Sequence, residues 1–148
     1  MKKIILVAAM VLGFAVAASA QPRAVGLHGG WGVELSYQHT LGDNFIEADL
    51  GLAGNAFSVA GNYNWMLATP QWTNKGEWGV YAGPGAAVGF YKGGANVAVS
   101  GMVGLEYTFE FPLQLSIDIR PQLGAALTKG GGLYFGGFVP SLGIRYRF

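Results

Sequence analysis

The chain has 148 residues, with 9 Lys and Arg, 8 Asp and Glu and no Cys, and charged residues make up only 11% of it. A soluble domain usually carries about 25% charged residues. The balanced charge without a basic stripe argues against nucleic acid as a partner, and the absence of Cys excludes disulfides and the lipid anchor of bacterial lipoproteins.

Residues 1–20 predict a secretory signal peptide. Two lysines precede an apolar run, which closes on the small-x-small pattern ASA at residues 18–20. An uncleaved membrane anchor is the alternative, but the apolar run is short for a membrane span. We therefore expect signal peptidase to cleave between Ala20 and Gln21, which leaves residues 21–148 as one domain.

Seven turn signals, rich in Gly, Asn, Asp and Pro, divide this domain into eight segments. An even number of short segments joined by turns is typical of an up-and-down meander. We place the strands at about 23–30, 33–41, 44–53, 56–67, 78–91, 95–110, 112–127 and 133–148.

Apolar and polar residues alternate along most of these segments. In VELSYQH, for example, Val33, Leu35 and Tyr37 alternate with polar neighbours, which predicts a strand with two unlike faces. The segment at 78–91 is weaker, and its Gly and Pro residues suggest a kink or a bulge. Alternation alone leaves open which face is wet, because a soluble lipocalin-like barrel has the same period with its apolar face inward.

Three further features favour a barrel in a membrane. The charge is low although no mature segment is a membrane helix, and the polar face consists mostly of small uncharged residues. The aromatic residues also fall into two belts, as in lipid-facing barrels, although β-propensity alone would enrich them in strands. One belt is Tyr37, Tyr63, Trp65, Trp78, Tyr107, Phe109, Tyr146 and Phe148, and the other is Trp31, Phe57, Phe90, Tyr91, Tyr134 and Phe138.

The C-terminal sequence GIRYRF resembles the closing strand of outer-membrane β-barrel proteins, with Ile144, Tyr146 and Phe148 at alternate positions. Four further stretches, ELSYQ, EADLGL, YAGPGAAVGF and GLEYTFEFPLQLSIDIRP, resemble the small OmpX-like or OmpA-type family. The resemblance implies an all-β fold, an eight-stranded antiparallel up-and-down transmembrane β-barrel. It also implies that the barrel-assembly machinery reads the terminal aromatic pattern. That superfamily includes adhesins, resistance factors, lipid enzymes and proteins without assigned activity, and the short outer connections here disfavour receptor binding.

Eight charged residues have the parity of the barrel interior. An eight-stranded barrel is only wide enough inside for its own side chains, so we interpret this set as a polar core that fills the lumen and not as a charged pore. Arg145 and Glu106 are expected in the same, periplasmic half. The full set is Glu34, Glu47, Asp49, Glu106, Asp118, Arg120, Arg145 and Arg147.

Candidate catalytic and ligand motifs are weak. The stretch GPGAAVG fails the dinucleotide-binding pattern, and the isolated His28 and His39 predict no metal site and no cofactor. A lipid-modifying barrel enzyme would need a His beside a Ser or an acid. Glu34 is the acid nearest to His28 and no Ser accompanies them, so we expect a structural histidine and no enzymatic activity.

We therefore predict an integral protein of the Gram-negative outer membrane, in contact with its lipid and with a structural or envelope-associated role. Both termini are expected in the periplasm. The longest connection, at 68–77, then lies on the periplasmic side, which calls for a longer fourth strand or a loop packed under the barrel. The alternatives are a narrow channel, a lipid-modifying barrel enzyme and a soluble periplasmic lipocalin-like carrier.

Overall fold

The computed structural model describes residues 22–29 and 32–148, and every regular element in these ranges is a β-strand. The expected signal peptide, its cleavage site between Ala20 and Gln21, and Trp31 of the second aromatic belt lie outside the described residues. Within those ranges no helix has the length and apolar character needed to cross a membrane. The strands are β1 (Pro22–Gly29), β2 (Val33–Leu41), β3 (Asn44–Ala53), β4 (Ala56–Ala68), β5 (Glu77–Tyr91), β6 (Gly94–Thr108), β7 (Leu113–Ile119), β8 (Gln122–Ala126), β9 (Leu133–Phe135) and β10 (Pro140–Arg147).

These strands close into an antiparallel barrel of eight. Sequential strands pair from β1 to β6, β7 and β8 both pair with β6, and β10 pairs with both β7 and β1. β7 and β8 are therefore two halves of one long strand, and β9 and β10 are halves of the last. The predicted eight-stranded up-and-down barrel is confirmed.

Two interruptions of the strand pairing lie at Pro and Gly residues. Pro121, between β7 and β8, has no N–H for the ladder, but its carbonyl accepts from Gly101 N at 3.0 Å. The predicted irregularity at 78–91 is a gap in the β4–β5 ladder, which has no pair at Gly83 or Pro84, while β5 itself stays continuous.

The barrel is apolar outside and polar inside. On β10 the side chain of Leu142 is 67% exposed and that of Ile144 is 51% exposed, whereas Arg145 is 1% exposed. The other long strands repeat this division, with Leu35, Val103 and similar residues outside. A soluble lipocalin-like barrel would have the opposite arrangement.

The two halves of the interior differ. We call the end where β1 begins the terminal rim, and the opposite end, with connections 54–55, 92–93 and 127–132, the cavity rim. The half near the terminal rim is filled by large side chains, among them Phe45, Tyr81 and Met102. Toward the cavity rim Gly, Ala and Ser line the wall and leave a cavity of about 480 Å³. The expectation of a side-chain-filled lumen is therefore wrong for this half, because most of its inward residues are Gly, Ala or Ser and leave open space between the few longer side chains.

The connection at 69–76 packs against the outside of the barrel. Trp78 Nε1 donates to Thr73 Oγ1 at 3.0 Å, and Tyr107 Oη donates to the Lys75 carbonyl at 3.0 Å. The Trp72 and Trp78 rings lie 5.3 Å apart. The fourth strand is longer than predicted by one residue, since β4 ends at Ala68, and this extension does not account for the segment. Its contacts with Trp78 and Tyr107 place the loop beside the outer wall and not under the barrel.

Candidate functional site

The filled half of the interior contains a cluster built around Arg23 and Glu106. The two side chains form an ion pair, Arg23 Nη1 lies 3.0 Å from Glu106 Oε2, and Gln114 Nε2 donates to the same oxygen at 2.7 Å. Arg23 also donates to Gln38 and lies 4.0 Å from the centre of the Phe45 ring. Both charged side chains are almost fully buried, and each neutralises the charge of the other.

Arg23 was missing from the predicted interior set for a physical reason. Ala24, Gly26 and His28 pair with inward residues of β2, so strict alternation along β1 would turn Arg23 outward. The β1–β2 register shifts between Pro22 and Ala24, and this irregularity lets Arg23 enter the barrel. The only signal in the sequence was that acidic residues outnumber basic residues in the predicted interior set, which left some acids without a basic partner.

Glu47 and Arg145 form the centre of the network. Arg145 Nη2 lies 3.2 Å from Glu47 Oε1, an ion pair without hydrogen-bond geometry. Arg145 Nε donates to Ser36 Oγ at 2.9 Å and Nη1 donates to Ser116 Oγ at 2.8 Å. Arg145 is thus held in place by hydroxyls from β2 and β7 as well as by charge.

A third cluster, which we call the floor cluster, lies at the base of the cavity and consists of His28, Glu34, Asp49, Asp118 and Arg120. His28 Nδ1 lies 3.0 Å from Glu34 Oε2, and Nε2 lies 2.9 Å from Asp118 Oδ2. Arg120 Nη2 donates to Asp49 Oδ2 at 2.8 Å, and Nη1 donates to Glu34 Oε2 at 3.3 Å. The floor cluster therefore brings together side chains from β1, β2, β3 and β7 and from Arg120, which lies in the break after β7.

The structure places the predicted interior residues as follows. Six are buried, and Glu34 and Arg147 are partly exposed. Among the described residues Arg147 forms no ion pair, and its Nη1 lacks a hydrogen-bond partner. Glu106 pairs with Arg23, and Arg145 pairs with Glu47, so the two residues expected in one half do not form a pair with each other.

The two histidines differ in environment. His28 is 2% exposed inside the barrel. His39 is partly exposed on the outer surface, where the Tyr37 hydroxyl lies 3.1 Å from its Nδ1. The contacts of His28 are carboxylates and the Arg120 guanidinium, which suit it to binding a cation or stabilising the fold.

The cavity brings this cluster into contact with the cavity rim. Glu34 and Arg120 border it from below, and Ser58, Asn96 and Tyr134 are among its polar lining residues. A ligand that entered from the rim would meet a carboxylate and a guanidinium at the bottom. No family model, no curated protein and no solved structure matches the chain.

Proposed function

We propose that the protein is an integral outer-membrane β-barrel with a structural or envelope-associated role. The observation that carries this proposal is the inverted distribution of polarity. Ionic and amide side chains are buried inside, whereas Leu, Val, Ile and aromatic side chains cover the outside. Soluble monomers rarely expose apolar patches larger than a few hundred Å², and lipid would cover such a surface. Strands of a closed barrel also leave no unpaired edge for the hydrocarbon region.

The filled half of the interior supports a structural role over a narrow channel. Arg145, Tyr81, Phe45 and Met102 are each at most 1% exposed and lie across the path between the two rims. An ion would have to displace paired charges as well as a packed apolar cluster to pass them. We therefore propose a barrel that is closed to ions, has no enzymatic activity and carries no catalytic cofactor.

The environment and biogenesis of the barrel belong to the same proposal. Its partners are outer-membrane lipid, with signal peptidase and the barrel-assembly machinery acting during biogenesis. Both termini lie in the periplasm, so the cavity rim faces the outside of the cell. The likeness of GIRYRF and the other quoted stretches to OmpX-like proteins supports this assignment.

Membrane fractionation of the full chain, expressed in a Gram-negative host, tests the location. We expect the protein in the outer-membrane fraction, resistant to urea extraction, with a gel mobility that changes on heating. Folded protein in the detergent-free soluble fraction would instead support the soluble carrier.

Labelling of single cysteines tests the orientation, since the chain has no Cys of its own. Lys92 lies in the β5–β6 turn at the cavity rim, and Lys75, which is 79% exposed, lies at the terminal rim. A membrane-impermeant maleimide should label Lys92→Cys on intact cells and Lys75→Cys only after permeabilisation. The reverse pattern would contradict the proposed orientation.

A further inference from the structure

The floor cluster has too few positive charges for its carboxylates. Arg120 pairs with Glu34 and Asp49, and His28 lies between Glu34 and Asp118, so three carboxylates face two cationic side chains even when His28 is fully protonated, and one negative charge remains in excess. Buried charges are costly unless they are paired and hydrogen-bonded. One oxygen of Asp49 and one of Asp118 also have no hydrogen-bond partner, although both residues are 2% exposed. The cluster is therefore built to accept further positive charge.

The same side chains have the composition and spacing of a metal site. One ligand atom each from His28, Glu34 and Asp49 lies within 4.8 Å of the other two. Zn²⁺ binds imidazole nitrogen and carboxylate oxygen at about 2.0–2.2 Å, so small rotations of these side chains would bring the three atoms onto one ion.

Asp118 supplies the outer support that such a site needs. Its Oδ2 lies 2.9 Å from His28 Nε2, and a carboxylate can only accept this hydrogen bond. Nδ1 lies 3.0 Å from Glu34 Oε2, a second carboxylate oxygen that can only accept, so without an ion Nδ1 also carries a proton, which a metal bound at Nδ1 would displace. Metal-binding histidines usually donate their other N–H to a carboxylate or a carbonyl in this way.

Arg120 occupies the position that the ion would take. Its Nη2 lies 2.8 Å from Asp49 Oδ2 and 3.3 Å from His28 Nδ1. Arg120 lies in the break between β7 and β8 and borders the cavity of about 480 Å³, which has room for a displaced side chain. Glu34 borders the same cavity, so water could complete the coordination from the cavity side.

We propose that the floor cluster binds one Zn²⁺ ion through His28, Glu34 and Asp49, in exchange for the guanidinium of Arg120. The two positive charges of the ion replace the proton of His28 Nδ1 and neutralise the one excess negative charge of the carboxylates. The ion and Arg120 compete for the same oxygen and nitrogen atoms, so the affinity depends on how readily Arg120 moves into the cavity. The site is independent of where the barrel resides.

Calorimetric titration of Zn²⁺ into the metal-free barrel in detergent micelles tests the proposal. We expect one ion per barrel, tighter binding for Arg120→Gln, and binding weakened at least about tenfold by Asp118→Asn, as for other outer-shell partners. His28→Gln should abolish binding, whereas the matched change at the outer histidine, His39→Gln, should leave it unchanged. Heat-dependent gel mobility verifies that each variant is folded.

Imidazole NMR signals of the unmodified barrel give a measurement that needs no variant to fold. Zn²⁺ should shift the ring signals of His28 and leave those of His39 in place. The proposal is overturned if the unmodified barrel takes up no Zn²⁺, if only the His39 signals shift, or if folded His28→Gln binds as tightly as the unmodified chain.

Discussion

The buried pair of Arg23 and Glu106 should contribute strongly to the stability of the barrel. The side chains are 6% and 5% exposed, and the other polar contacts of the pair, Gln38 and Gln114, carry no charge. Removing one member of a buried pair leaves the other charge unpaired and costs about 3–5 kcal/mol. We expect that loss of unfolding free energy for Arg23→Met and for Glu106→Gln separately.

The double variant should be more stable than either single variant. With both charges gone, no uncompensated ion remains inside, and the amide introduced by Glu106→Gln would still meet Gln114. Replacing a buried pair together is often close to neutral, so the coupling energy of the Arg23 and Glu106 changes should be at least about 3 kcal/mol. Urea unfolding of the barrel refolded into lipid vesicles, followed by tryptophan fluorescence, measures all four corners of the cycle.

An exposed pair provides the matched control. Lys75 Nζ lies 3.8 Å from Glu110 Oε2, and these side chains are 79% and 62% exposed. Such surface pairs contribute about 0–1 kcal/mol, and the cycle of Lys75→Met with Glu110→Gln should give a coupling in that range. If the Arg23 and Glu106 coupling is no larger than this, the interior network does not stabilise the barrel through charge pairing.

Three further predictions concern the wall and the interior. Val103 is 57% exposed near the middle of β6, so Val103→Arg should lower the stability of the barrel in vesicles by about 2–4 kcal/mol. Leu133→Arg, near the cavity rim, should lower it by only about 0–1 kcal/mol. Equal losses for the two variants would argue against a lipid-covered belt. A Cβ on Gly104 would overlap the buried Tyr81 ring, so Gly104→Ala should cost about 1–3 kcal/mol. At Gly61 an added Cβ would meet open space, so Gly61→Ala should change the stability by no more than about 0.5 kcal/mol. Similar urea midpoints for Gly104→Ala and Gly61→Ala would contradict the close contact between Gly104 and Tyr81. The unmodified barrel should show no steady ohmic current in a planar bilayer, and a reproducible single-channel current would favour the narrow channel.

Much of the barrel could be predicted from the sequence because the two faces of a strand and the positions of the turns depend on residues that are neighbours in the chain. The two-residue period of VELSYQH assigns Leu35 and Ser36 to opposite faces whatever the strand pairs with. Turn residues such as Gly42, Gly54 and Gly93 adopt positive φ at three of the predicted connections, which is why the turn signals marked the strand ends well. The low charge of a sequence without a predicted membrane helix after residue 20 then suggested that the polar face of each strand lies inside the barrel.

The tertiary structure alone determined the partners within the barrel. Arg23 and Glu106 are 83 residues apart, and Arg120 and Asp49 are 71 apart, so their contacts depend on barrel closure and on the stagger of its strands. The inward turn of Arg23 depends on a register shift that alternation cannot reveal. The cavity likewise arises because short side chains from several strands face one another, and a volume shared among strands has no signature in any single one.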